Sequence, residues 1–136
     1  FGVGIGDVRA VASTSGDLSD GPGWWAARTA IETVHARQQR SIPHARTWIV
    51  AGKEQDGGVH TLVDISNAYL LARDELVGAM NERARRLTAG RCLGRTQREL
   101  AHEEGITQPA VSQALATAGA AALVEGFRAL RREATT

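Results

Sequence analysis

The residues best equipped for chemistry in this sequence cluster near its C-terminal third: Arg95, Thr96, Gln97, Arg98, Thr107, Gln108, Ser112 and Gln113. Their chemistry is recognition rather than bond making. A glutamine amide can pair bidentately with adenine, hydroxyls reach either a base edge or a phosphate, and an arginine fork matches phosphate oxygens. These are the expected DNA-binding residues, with Gln108 and Gln113 on base edges and Arg95 and Arg98 on the backbone. A catalytic constellation is harder to assemble. His35, His44, His60 and His102 fall into no pattern that pairs a base with a nucleophile, and each reads as a surface or interface histidine. Cys92 is the only cysteine, so an internal disulfide, a multi-cysteine zinc site and a CxxC pair are all ruled out, and it reads as a small residue packed in a helix bend. No catalytic residue, metal site or cofactor is assigned, and the balance falls against an enzyme.

Two short helical patterns position these side chains, in the stretch "TQRELAHEEGITQPAVSQALA" from Thr96 to Ala116. Thr96 as N-cap with Glu99 three residues on makes a capping box, and Leu100 and Ala101 form the inward face of a first helix. Gly105 stops that helix where a left-handed residue is needed. Thr107 caps the second helix, Pro109 sits in its first turn, and Val111 and Leu115 face back onto the first. A small Ala101 lets the helices cross closely, and Gly105 turns the chain sharply. This spacing predicts a helix-turn-helix at 96–116. Glu104 departs from the pattern, because the position before the glycine is usually apolar. Arg83, Arg85 and Arg86 read as a solvated helix face, with phosphate contact as the alternative.

The rest of the chain must support that unit. Phe1, Val3 and Ile5 alternate with Gly2, Gly4 and Gly6, which predicts a strand with bulk on one face and glycine on the other. The glycine face calls for close approach by a helix, or by a nucleotide or other ligand. Residues 13–23 read as a loop. A helix should start near Pro22, capped by Asp20, and run to about Arg40, with Trp24, Ala27, Ile31 and Val34 or His35 inward and Trp25 at an edge. "ARTWIVAG" predicts a second strand and "KEQDGG" a turn. From about Thr61 to Ala89 one long helix is expected, or two broken near Gly78. Its stripe of Leu62, Ile65, Tyr69, Ala72, Leu76 and Met80 would be buried in the monomer or form a dimer seam. A closing helix should present Leu123, Val124, Phe127 and Leu130 on one side.

Composition fits these elements. With 43% hydrophobic and 23% charged residues the chain reads as globular, and no apolar run approaches the roughly 18 residues of a membrane span. A cytoplasmic location is therefore expected. Residues 1–82 carry 7 basic and 10 acidic side chains, net −3, whereas residues 83–136 carry 9 and 5, net +4. The C-terminal part is the one suited to a polyanion. All but one of the basic residues are Arg, with Lys53 the exception. The chain opens directly in a strand pattern without Met, which leads us to expect residues upstream.

The order "FGVGIGDV", "DGPGWWAARTAI", a strand, a long helix and "RTQRELAHEEGITQPAVSQAL" resembles the SatD family of bacterial proteins over nearly the whole chain. The resemblance implies an α+β fold, with a partial ferredoxin-like, nucleotidyl-cyclase-like N-terminal part and a mainly helical C-terminal helix-turn-helix domain. We divide these at 1–60 and 61–136. In that family a segment with a Gly-Asp motif precedes the "GIG" strand. A cyclase-like palm would need acidic metal ligands from such a segment, and Asp7, Asp17 and Asp20 read instead as turn and cap residues. The expected function is a DNA-binding transcriptional regulator that binds double-stranded DNA as a homodimer, its front part dimerising or sensing a small-molecule or nucleotide ligand. The alternative is a nucleotide-binding or nucleotide-processing domain with an accessory helix-turn-helix, and a third reading has the motif bind protein.

Overall fold

A computed structural model describes residues 1–11, 14 and 18–133. The fold is α+β, with four short strands and six helices among the described residues. It divides into two compact units, Phe1–Glu75 and Leu76–Thr136, so the division falls later than the expected one at residue 60. Asp17 and most of the loop expected over 13–23 lie outside the described residues.

In the first unit β1 (Gly2–Ile5) pairs in parallel with β4 (Trp48–Ala51), Gly2 opposite Trp48 and Ile5 opposite Ala51. Between them come an antiparallel hairpin of β2 (Arg9–Val11) and β3 (Leu18–Asp20) and the helix α1 (Pro22–Arg40). The glycine face of β1 is filled by α1, as the helix alternative required. A Cβ on Gly2 would lie 2.5 Å from Ile31 Cγ1, and one on Gly4 2.1 Å from the Gly23 carbonyl oxygen. A helix so close to a strand can turn only small residues inward. The buried positions of α1 are accordingly Gly23, Ala26, Ala30 and Val34. The expected stripe is therefore corrected by a rotation of about one residue: Trp24 and Ile31 stay about half exposed, whereas Val34 is buried as expected and Trp25 is half exposed, as its edge position requires. Asp20 does not cap α1 either. It lies in β3, and the N-cap is Gly21, whose helix has no side-chain cap.

The helix α2 (Gly57–Ala79) starts after the expected turn, with Asp56 Oδ1 accepting from the Val59 N–H at 3.0 Å. Its buried residues are Val63, Asn67 and Asp74, while Leu62 and Ile65 are 61% and 63% exposed. The cause is the free edge of β4. Backbone groups buried at a strand edge need partners, and α2 supplies them from side chains. The Asn67 amide donates to the Ile49 carbonyl and accepts from the Ile49 N–H, both at 2.9 Å. Two turns on, the Asp74 carboxylate accepts from Arg46 N–H at 2.6 Å and Thr47 N–H at 3.1 Å. An apolar stripe cannot perform that task, so Leu62, Ile65 and Leu76 of it face outward.

The second unit begins at Leu76, in the last turn of α2, and the long helix breaks just beyond, at Met80 and Asn81, close to the expected break near Gly78. Asn81 caps α3 (Glu82–Cys92) by accepting from the Ala84 N–H at 2.9 Å. Then follow α4 (Gln97–Glu104), α5 (Gln108–Thr117) and α6 (Ala120–Glu133). Met80, Ala84, Leu87, Leu100, Ala101, Val111, Leu115 and Ala120 form its core, with Leu87 and Val111 fully buried. Met80 thus belongs to this core and is removed from any seam. On α6 Val124 is buried and Leu130 is 58% exposed. Among the described residues no single helix is long and apolar enough to cross a membrane.

Candidate nucleic-acid interface

The local geometry of α4 and α5 follows from three residues that stop and start helices. Thr96 accepts from the Glu99 N–H at 3.2 Å, while the Glu99 carboxylate takes the Thr96 N–H at 2.7 Å and its hydroxyl at 2.8 Å, which completes the capping box. Gly105 has φ 64°, a left-handed conformation that side-chain-bearing residues rarely adopt, and its N–H closes the helix on Ala101 and His102. Thr107 then caps α5 by accepting from the Ala110 N–H at 3.3 Å, with Pro109 in the first turn. The buried pairs Leu100 with Ala101 and Val111 with Leu115 hold the helices together.

This packing turns one side of α5 to solvent. Gln108, Ser112 and Gln113 are all exposed. Among the described residues Gln108 and Ser112 have no side-chain partner, and Gln113 reaches only Thr117, at 3.4 Å. All three thus stand on the solvent-exposed part of α5. Thr107 keeps its hydroxyl hydrogen free to donate. Thr96 does not: its hydroxyl already donates to Glu99, so its side chain serves the cap and has no proton for a phosphate. On α4, Gln97 is half-buried and Arg98 is exposed without an ion pair among the described residues. Arg95 is paired with Glu103 Oε2, both side chains about half exposed.

The acidic residues of this surface are engaged by the chain itself. Glu104, the departure from the expected pattern, accepts from Arg86 Nε at 2.6 Å and Nη2 at 2.8 Å, with Arg83 Nε at 3.7 Å, and its side chain is only 15% exposed. An ionic clasp between α3 and α4 stands in place of the usual apolar contact. Arg85 is also engaged, donating to the carbonyls of Val77 and Gly78 at the end of α2. The Arg83, Arg85 and Arg86 run is therefore structural rather than simply solvated.

The clasp has a pH signature. The Arg86 hydrogen bond holds the Glu104 carboxyl below its ordinary value of 4.5, and the Thr96 backbone N–H does the same for Glu99. Both groups hold a proton less readily folded than unfolded. Their contribution is complete above the ordinary carboxylate value and is lost as pH falls through the lowered one. Thermal melts of Glu104→Gln should therefore lie below wild type at pH 7, and the two curves should converge as pH drops below the ordinary carboxylate value and through the lowered one. A gap that stays constant over that range would show that the Glu104 charge does not carry the clasp.

Two further side chains border this face. Arg91, at the end of α3, and Arg128, on α6, line a notch of about 290 Å³ together with Gln97 and Ser112. The sequence offers no local signal for them, since Arg128 is far along the chain and α6 is legible only through its apolar side. No group of three or more His, Cys, Asp or Glu side chains converges on a metal-sized site among the described residues. Comparisons with protein-family models, curated proteins and solved structures find no match to this chain.

Proposed function

We propose that the chain is a DNA-binding transcriptional regulator of the cytoplasm in which α4, the Gly105 turn and α5 form a helix-turn-helix, with α5 as the helix that enters the major groove. The observation that carries this reading is the pairing pattern of the surface. Gln108, Ser112 and Gln113 are exposed with their hydrogen-bonding capacity nearly unused, while Glu99, Glu103 and Glu104 are held by partners within the chain. Exposed amides able to reach base edges, beside neutralised acids and an Arg98 without an ion pair among the described residues, suit a polyanionic duplex. The first unit, with parallel β1 and β4 bridged by α1, fits part of a ferredoxin-like domain of the kind the SatD resemblance implies. Its outward Leu62 and Ile65 suit pairing of two copies, which would place two α5 helices on two half-sites.

The test separates base reading from backbone binding. A duplex selected from a randomised pool and an unrelated duplex are titrated with wild type, Gln108→Ala and Gln113→Ala. Each variant should lose about 1–3 kcal/mol on the selected duplex and almost nothing on the unrelated one. Equal losses on both duplexes would assign the glutamines to the backbone and remove the basis for sequence-specific regulation.

A further inference from the structure

We propose that the notch between α3, α5 and α6 seats a backbone phosphate of the bound duplex, with Arg128 and Arg91 as its cationic contacts. The inference rests on the duplex-DNA reading above and extends it to residues outside the two-helix motif. The notch opens beside the proposed reading face, because Gln97 at the start of α4 and Ser112 on α5 both line it. At about 290 Å³ it has the volume of roughly ten waters at about 30 Å³ each, room for a phosphodiester group and its remaining hydration. Ala116 of α5 and Ala120 and Ala121 of α6 line part of its wall.

Its charge balance suits an anion. Arg91 and Arg128 bring two guanidinium groups, and Glu125 brings the one carboxylate. Arg91 spends a single Nη1 hydrogen bond on the Arg95 carbonyl, which leaves its other donors available. Arg128 Nη1 is paired with Glu125 Oε1 at 2.6 Å, but the side chains are 40% and 66% exposed. A solvent-exposed pair at this spacing contributes little, so Arg128 can exchange Glu125 for a phosphate at small cost. Glu125 then acts as a placeholder that occupies Arg128 while DNA is absent.

This exchange predicts opposite effects from the two partners. Binding of the selected and the unrelated duplex is measured by fluorescence anisotropy over a salt series for wild type, Arg128→Ala, Arg128→Lys and Glu125→Gln, with circular dichroism melts confirming that each variant folds. Arg128→Ala should weaken both duplexes alike, about tenfold, and reduce the steepness of the salt dependence by about one. Arg128→Lys should keep the wild-type salt dependence, since it keeps the charge, and Glu125→Gln should strengthen both duplexes. If Arg128→Ala binds as tightly as wild type, or loses affinity only for the selected duplex, or if Glu125→Gln weakens binding, the phosphate seat is overturned while the DNA-binding reading stands. A wild-type protein that binds neither duplex overturns both.

Discussion

Gly4→Ala should lower the melting temperature of the first unit by about 10 °C or more, judged from the usual change of roughly 4–8 °C per kcal/mol in a domain of this size. The added Cβ would sit 2.1 Å from the Gly23 carbonyl oxygen and 2.5 Å from the Ala27 nitrogen. Both obstacles are backbone atoms of α1, which no rotamer change can move. Inserting a methyl group into a packed core typically costs about 1–3 kcal/mol, and an unyielding backbone puts this case at the upper end or beyond. Against a total of about 5–15 kcal/mol for a whole domain, such a loss is large. Gly57→Ala supplies the control, because nothing lies within 4 Å of a Cβ there. Calorimetry of the full chain should show the first unit's transition displaced in Gly4→Ala and unmoved in Gly57→Ala. Equal transitions in the two variants would mean that α1 does not rest on the glycine face.

The same contact shows what the sequence could and could not disclose. Signals that act through a residue's own backbone were legible: Thr96, Glu99, Gly105, Thr107 and Pro109 start and stop α4 and α5 where their types require. The glycine alternation of β1 likewise announced a close neighbour. Which face each helix would bury was not legible, because that depends on the surface it meets. Small residues of α1 turn inward only because the facing strand has no side chains on that side, and Asn67 and Asp74 turn inward only because β4 has a free edge. Hydrophobic spacing alone favoured Trp24, Leu62 and Ile65, and tertiary demand overrode it. Glu104 looked like a flaw in the pattern until Arg86, on another helix, was seen to hold it. Arg128 joins Gln97 and Ser112 only through the packing of α6 against α3 and α5.

If the second unit neutralises DNA phosphates, its affinity must fall steeply with salt. Arg98 has no ion pair among the described residues, and Arg91 and Arg128 line the proposed seat, giving three cations per protomer that would displace counterions. At about 0.9 counterion per phosphate contact, the logarithm of the binding constant should fall against the logarithm of salt with a slope near −3. Between 50 and 200 mM salt that is a loss of about fortyfold for one protomer, and of more than a thousandfold for a pair acting together. The measurement is a titration of wild-type protein with a duplex of about 30 base pairs across that range, well beyond one helical turn. A straight line with a slope between about −3 and −5 is expected; an affinity indifferent to salt, or no binding at 50 mM, would overturn the DNA-binding reading.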